Sequence, residues 1–178
     1  MLINGVRKVA QEIFQDNRGS FIKTYTSNLY DDFGMRGVQE YFFSKSKKNV
    51  WRGMHLQVGA FASNRLIFCV NGAVIDFLID LRKESNTFLN VMSFELNADD
   101  IAEGVMVPAG VAHGFLSLRD GSEMHYISDK AYSSEHDTGV NALSIPRIAN
   151  RLKEFKIIMS RRDATLPELN DFIPNHFR

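Results

Sequence analysis

Two apolar runs joined by a single Asn-Gly dipeptide constrain the fold of this chain more than any other feature. They extend over Leu66–Leu81 and flank the segment Val70-Asn71-Gly72-Ala73. Asn-Gly tolerates the positive φ angles of a tight turn, and apolar runs of this length are typical of buried strands. The pattern predicts a β-hairpin in the core of a β protein.

Most of the remaining chain consists of short β-prone segments separated by Gly, Asn or Asp clusters. Strands are predicted at Gly19–Tyr25, Val38–Ser46, Val50–Gln57, Phe88–Glu95, Gly104–Val107, Gly114–Ser117 and Met124–Ser128. Helical patterns are fewer, at Leu29–Phe33, Ile148–Phe155 and Ala164–Phe172. So many short strands in about 130 residues favour a mainly antiparallel sandwich or barrel. The 178 residues contain no linker-like segment, which predicts a single domain over 1–178.

Charge balance and cysteine content narrow the possible partners and compartments. Lys plus Arg and Asp plus Glu number 21 each, so no overall charge would attract nucleic acid or a membrane surface. The single cysteine, Cys69, cannot form a disulfide within the chain, which favours a reducing compartment. No stretch has the length of a membrane span, and the N-terminus lacks a sustained apolar segment. We therefore expect a cytoplasmic protein with a small anionic ligand.

The stretch Ser44–Gln57 combines a possible anion site with a possible base. Arg52 can bind phosphate through a planar fork of donors, and His55 follows three residues later with a side chain that titrates near neutral pH. A phosphorylated substrate is one interpretation. The alternative is a solvated basic loop followed by a structural histidine.

His113 is the second histidine with a distinctive setting. It follows the Pro108-Ala109-Gly110 turn and precedes Gly114, which would allow close approach by backbone or ligand. This arrangement could direct an imidazole into the mouth of a barrel. A buried histidine with a satisfied hydrogen bond is the alternative.

Six groups of residues, in order along the chain, resemble dTDP-4-dehydrorhamnose 3,5-epimerases. They are Asp16-Asn-Arg-Gly19; Ser44–Gln57; Asp80–Ser85 with Thr87 and Phe88; Pro108–Phe115; Tyr126 with Tyr132 and Glu135; and Ser160-Arg-Arg-Asp163. The resemblance extends from about Glu12 to about Leu169. Several motifs in the same order are more specific than any one of them alone.

The resemblance implies a mainly β, cupin-like jelly-roll barrel or sandwich with a few short helices, mostly C-terminal. It also implies a homodimer in which the N-terminal strand region helps to complete the neighbour's site. No metal or other cofactor is expected: metal-binding cupins usually offer a His-x-His pair, whereas His55 is followed by Leu56 and Gln57. The implied substrate is a nucleoside-diphospho 4-keto-6-deoxy sugar.

The same resemblance assigns catalytic roles. His55 would be the base that removes a proton next to the ketone, and Asp163 the carboxylate that orients it. Tyr132 would return a proton to the opposite face, with Tyr126 as the less favoured alternative. Arg65 stands where the family has a Lys, and because arginine does not release its proton, it would stabilise the enolate by charge alone.

Further residues are assigned to substrate binding. Arg18 and Arg52 would bind the diphosphate, and His113, oriented by Asp76, would position the sugar. The other expected contacts are Phe21, Glu40, Ser44 and Gln57. Glu40 and Phe42 replace a Gln and an Asn that are typical of the family, so sugar specificity is expected to depend on this segment.

Three functions remain open from the sequence. The first is epimerisation at C3, at C5 or at both. The second is a ketoisomerase of the same fold, which would move the carbonyl between C4 and C3. The third is a binding module without catalysis, which the presence of His55, Asp163 and Tyr132 disfavours.

Overall fold

The structure, a computed structural model, describes residues 2–26, 31, 34, 35, 37–98 and 103–176. The strands in these ranges are β1 Arg7–Ala10, β2 Glu12–Asp16, β3 Gly19–Lys23, β4 Glu40–Ser46, β5 Val50–Gln57, β6 Arg65–Asn71, β7 Ala73–Asp80, β8 Val91–Asn97, β9 Glu103–Val107, β10 Val111–Ser117, β11 Ser122–Ser128, β12 Asp137–Gly139 and β13 Ile158–Met159. All the predicted strands are present, and β5 has the predicted bounds.

The strands form two stacked sheets and a separate ribbon. One sheet has five strands in the order β1-β9-β6-β11-β4. The other has the order β12-β5-β10-β7-β8, with β13 running parallel to the start of β5. β2 and β3 pair only with each other among the described strands and form the ribbon. A mainly β protein with antiparallel pairing is therefore confirmed.

The predicted hairpin over Leu66–Leu81 is wrong in its pairing, although both strands and the turn exist. β6 pairs with β9 and β11, whereas β7 pairs with β10 and β8. The turn at Gly72, where φ is +74°, carries the chain from one sheet to the other. Every side chain of β7 is buried, so this strand needs cover on both faces. Placing the two apolar runs in opposing sheets supplies it.

The hydrophobic core has two principal parts, one on each face of the six-stranded sheet. Between the sheets, Ile67 and Val105 pack in one cluster with Leu78 and Phe115. On the outer face, β5, β7 and β10 contribute to a cluster with the C-terminal helical segments, including Ile148. The cavity described below lies within the inter-sheet layer.

The C-terminal helices differ from the predicted ones. They are α1 Pro146–Leu152, α2 Arg161–Ala164 and α3 Leu169–His176, with short 3-10 turns at Gly59–Phe61 and Ala142–Ser144. The first predicted helix at the C-terminus is present but starts at Pro146, which suits a first helical position. The continuous helix predicted over Ala164–Phe172 is wrong, because Pro167 disfavours helical backbone before it. The helix predicted at Leu29–Phe33 lies outside the described residues except for Asp31.

Candidate active site

A cavity of about 350 Å³ opens between the two sheets. Its walls include side chains from β4, β6 and β11 of one sheet and from β5 and β10 of the other. Nine of the eleven predicted site residues line it: His55, Tyr132, Asp163, Arg65, Glu40, Ser44, Arg52, Gln57 and His113. The structure therefore brings together side chains that are widely separated in the sequence.

A β-bulge makes Arg52 and His55 neighbours on the cavity wall. His55 lies opposite His113, and Arg52 lies opposite the residue two positions further along β10. The extra residue on β5 lets both side chains face the cavity although they are three positions apart. Glycine is required at the close approach, because a Cβ added to Gly53 would lie 2.4 Å from the Cα of Gly114. The expected close approach at Gly114 is confirmed, and the approaching groups are the β5 backbone and the sulfur of Met54.

His55 forms a charge-assisted pair with Asp163. The Nε2 atom of His55 lies 2.9 Å from Oδ1 of Asp163, and the two residues are 108 positions apart in sequence. The His55 side chain is 26% exposed and the Asp163 side chain 5%, so the imidazole reaches the cavity while the carboxylate supports it from behind. With Nε2 bonded to the carboxylate, Nδ1 is the nitrogen available to a substrate.

Short helix α2 holds Asp163 in place. The Ser160 hydroxyl accepts a hydrogen bond from the backbone N–H of Asp163 at 3.0 Å and caps the helix. Partial burial alone would raise the pKa of the Asp163 carboxyl, but hydrogen bonds from His55 and the Gly53 N–H, together with the imidazole charge, hold it below its usual value. The carboxylate is therefore ionised and can stabilise a protonated His55.

His113 forms a second, more deeply buried pair. Its Nε2 atom lies 2.7 Å from Oδ2 of Asp76, and the two side chains are 5% and 0% exposed. Burial raises the pKa of the Asp76 carboxyl, with His113 and Arg65 acting in the opposite direction. The predicted pairing of His113 with Asp76 is confirmed as a contact, and its role in positioning a sugar stays a prediction.

Arg65 brings positive charge to the same wall. One Nη2–H donates to the backbone carbonyl of His55 at 3.1 Å, and the Nε atom is buried without a partner among the described residues. Burial lowers the pKa of the guanidinium, while Tyr126, Asp137 and Asp76 raise it. Because arginine remains charged in proteins, Arg65 is a fixed cation beside His55.

The two tyrosines at the cavity differ sharply. Tyr126 is 6% exposed, and burial raises its pKa far above the usual range, which makes it a poor proton donor. Tyr132 is 58% exposed and lies on the loop between β11 and β12. This contrast favours Tyr132 over Tyr126 as the acid.

Arg18 and Phe21 do not line the cavity of the protomer that contains them. Both lie on the β2–β3 ribbon, where Phe21 is 63% exposed and Arg18 pairs with Asp16 at 2.6 Å. The Asp16 carboxylate raises the pKa of the Arg18 guanidinium. Their predicted substrate contacts stay a prediction.

The chain was then compared with known proteins. The family described as dTDP-4-dehydrorhamnose 3,5-epimerase matches residues 1–171. The chain belongs to this family. The dTDP-4-dehydrorhamnose 3,5-epimerase of Escherichia coli is 33% identical over 175 residues, which cover 96% of this chain and 93% of that protein. The family prediction is confirmed.

Solved structures agree with the family assignment. A dTDP-4-dehydrorhamnose 3,5-epimerase from Bacillus anthracis with TDP and PPi bound has a TM-score of 0.86 and 31% identity, covering 95% of this chain and 98% of that one. A 3'-monoepimerase from Streptomyces bikiniensis in complex with dTDP-quinovose has a TM-score of 0.86 and 25% identity, covering 96% and 86%. The cupin-like jelly-roll prediction is confirmed.

Glu40 and Phe42, the two residues expected to influence sugar specificity, both lie on β4. Glu40, Phe42 and Ser44 alternate along β4 and line the cavity. The ring of Phe42 stacks on that of Tyr126, with centroids 4.6 Å apart and an interplanar angle of 8°. One wall of the cavity is therefore aromatic, with a carboxylate at its edge.

Sequence reasoning did not single out Arg162 and Asp137, which also line the cavity. Arg162 Nη2 donates to Oδ2 of Asp137 at 2.6 Å. The epimerase motif contains two adjacent arginines, and the three-dimensional structure distinguishes them, because Arg162 lines the cavity and Arg161 does not. An ion pair beside the base adds a further potential contact for a polar substrate.

The described residues contain no group of three or more His, Cys, Asp or Glu side chains arranged to hold a metal ion. No helix in those ranges is long and apolar enough to cross a membrane.

Proposed function

We propose that the cavity epimerises a nucleoside-diphospho 4-keto-6-deoxy sugar at C3, at C5 or at both, with His55 as base and Tyr132 as acid. Family membership supports the reaction class. The observation that carries the residue assignment is the His55–Asp163 pair, in which a partly exposed imidazole faces the cavity and an ionised carboxylate supports it.

The first step removes a proton from a carbon next to the ketone. The C–H electron pair moves into the bond to C4 and the carbonyl oxygen becomes an enolate, while His55 Nδ1 receives the proton. A general base of this kind contributes about 10²- to 10⁴-fold to rate. Asp163 stabilises the resulting imidazolium because it is already ionised and hydrogen-bonded to Nε2.

Arg65 then balances the new charge. A cation next to a developing enolate is often the largest catalytic contribution, and Arg65 is held beside His55 by its bond to the His55 carbonyl. It acts without proton transfer. The negative charge stays on the oxygen until the carbon is reprotonated.

Reprotonation on the opposite face completes the inversion. Tyr132 would supply this proton and recover one from solvent, to which it is accessible. Arg52 is exposed at the cavity and retains donors beyond those given to Ser46 and the Lys45 carbonyl, so it would bind the diphosphate. The TDP-bound relative supports a nucleotide ligand for this chain.

Deuterated water tests the proposal. A dTDP-4-keto-6-deoxy sugar incubated with the protein in D₂O should gain deuterium at C3, at C5 or at both, with inversion, as followed by NMR. Tyr132→Phe should keep exchange and lose inversion. A 3-keto product would instead identify a ketoisomerase, and binding without exchange would exclude both enzyme functions.

A homodimer is the second part of the proposal. The outer face of β4 exposes Tyr41 and Phe43 at 54% and 58%, and the ribbon exposes Phe14 and Phe21 at 53% and 63%. Exposed aromatic side chains in this number are typical of an interface rather than of a free surface. Pairing of two copies would cover them and bring Arg18 and Phe21 to the neighbour's cavity.

Mixing two inactive variants tests shared sites. Arg18→Glu and His55→Asn are each expected to be impaired, yet a mixed dimer contains one site with both native residues. Because half of the dimers formed after subunit exchange are mixed, activity should recover to about a quarter of the native level. No recovery despite dimers in light scattering would show that the ribbon does not complete the neighbour's site.

We also propose a cytoplasmic location. Burial raises the pKa of the Cys69 thiol to about 11, so the thiol stays protonated and unreactive. A free thiol in a chain without a disulfide partner suits a reducing compartment.

A further inference from the structure

We infer that Gln57 is a positioning residue that holds the Tyr132 loop in register with His55. The inference rests on the proposed function, in which His55 and Tyr132 are base and acid. Gln57 lies two residues after His55 at the end of β5 and lines the cavity, where it was predicted to bind substrate. Its amide group is instead largely engaged by protein backbone.

The amide of Gln57 makes three hydrogen bonds. Nε2 donates to the carbonyl of Phe61 at 3.2 Å and to the carbonyl of Ala131 at 3.1 Å. Oε1 accepts from the backbone N–H of Ser133 at 2.6 Å. A side-chain amide has two donors and two lone pairs, so little capacity remains for a ligand.

Two of these bonds fall on the residues either side of Tyr132. The Tyr132 side chain makes no hydrogen bond with the part of the chain that the structure describes, and it is 58% exposed. Its position therefore depends on the backbone that carries it. Gln57 holds that backbone on both sides, at Ala131 and at Ser133.

Among the described residues, the other hydrogen bonds of this loop lie towards its two ends. At its start, the Asn64 side chain donates to Asp129 at 2.8 Å, and the Ser128 hydroxyl donates to the Lys130 carbonyl at 2.7 Å. At its end, the Ser133 hydroxyl bonds to His136 Nδ1 at 2.8 Å, and the His136 carbonyl accepts from Val58 N–H at 3.0 Å. The middle of the loop, around Tyr132, is held by the bonds from Gln57 to Ala131 and Ser133.

The consequence is a fixed relation between base and acid. His55 and Gln57 belong to one strand, so the same backbone that carries the base also sets the position of the phenol. A misplacement of about 1 Å can cost about 10²-fold in a reaction that depends on alignment. Loss of Gln57 should therefore affect reprotonation on the opposite face much more than proton removal.

The test compares exchange with inversion in the same reaction. For Gln57→Ala in D₂O, we expect exchange within about threefold of native and inversion per exchange event reduced at least about tenfold. This ratio is unaffected by a misfolded fraction, because both events occur on active molecules. Gln57→Glu keeps an acceptor for Ser133 but sets a carboxylate oxygen against the Phe61 and Ala131 carbonyls, so it should show the same change at least as strongly.

A double variant and a matched control complete the design. Gln57→Ala combined with Tyr132→Phe should be no worse in inversion than Tyr132→Phe alone, because both act through the phenol. Asn71→Ala removes a similar amide-to-carbonyl bond, to Gly121 at 2.8 Å, at the opposite end of β6 from Arg65, and should leave the ratio unchanged.

Two results would overturn the inference. A higher KM with an unchanged ratio in Gln57→Ala would make Gln57 a direct substrate contact, and additive losses in the double variant would separate it from Tyr132. If the native protein itself fails to exchange deuterium, the proposed function fails instead. The two failures are thus distinguishable.

Discussion

Two histidines on paired residues of β5 and β10, His55 and His113, line the cavity, and each is bonded to an aspartate. The two pairs differ in burial and in the direction of the carboxyl pKa shift. His55 and Asp163 meet at 2.9 Å with the imidazole 26% exposed, whereas His113 and Asp76 meet at 2.7 Å with the imidazole 5% exposed. The pKa of the Asp163 carboxyl is lowered and that of Asp76 is raised.

The difference shows how similar pairs acquire different roles. Asp163 receives hydrogen bonds from both His55 and the Gly53 N–H, and these outweigh the effect of its partial burial. Asp76 is fully buried, and its Oδ1 has no partner among the described residues. A base needs access to substrate and an ionised supporting carboxylate, and the His55 pair meets both conditions.

The largest expected effect comes from removing the two imidazoles. His55→Asn should lower deuterium exchange at the sugar carbon about 10³-fold, because it removes the proposed base. His113→Asn should lower it about tenfold or less and mainly raise KM, since that imidazole would only position the sugar. Exchange rates from NMR and steady-state constants measure both; near-normal exchange in His55→Asn would reverse the assignment.

The supporting carboxylates should differ by a smaller factor. Asp163→Asn should lower kcat about 10²-fold with little change in KM, because the amide cannot stabilise the imidazolium by charge. Asp76→Asn should lower kcat less than about fivefold, because the amide still accepts a hydrogen bond from His113. Equal losses in the two variants would show that both pairs take part in proton transfer.

Much of this comparison could be predicted from residues. The motifs that contain His55, Tyr132 and Asp163 carry family-specific spacing, so their assignment to one site did not need coordinates. The positions of the strands also follow from the turn residues that separate them, and β5 has the predicted bounds Val50–Gln57. Local chemistry therefore predicts which segments are strands and which side chains carry function.

Other features depend on packing that no local pattern reveals. An Asn-Gly turn between apolar runs is compatible with a hairpin or with a crossing between sheets, and the burial of every β7 side chain decides for the crossing. Gln57 is predicted to contact the substrate because it lies two residues after His55 in the motif Ser44–Gln57. Its actual partners lie on a loop 74 to 76 residues away, which only the tertiary structure brings near.

The smallest expected effect concerns stability, and it has opposite signs for the two carboxyls. The folded-state pKa of Asp163 lies below its usual 3.8, so this group stabilises the fold above about that pH and loses its contribution as the pH falls through the folded value. The folded-state pKa of Asp76 lies above 3.8, so its contribution is present in acid and is lost as the pH rises through the folded value.

Urea unfolding at about pH 3 and about pH 7 measures both signs, because these pH values lie on either side of the usual aspartate pKa of 3.8. The stability of the native protein relative to Asp163→Asn should be greater at the higher pH, whereas its stability relative to Asp76→Asn should be greater at the lower pH. If both differences change in the same direction, the pKa values of Asp163 and Asp76 are shifted in the same direction on folding. The different burial of the two carboxyls would then not give them different charge states. Opposite changes would support His55 as the base, because its partner Asp163 would then be the ionised carboxylate, and an ionised carboxylate stabilises an imidazolium.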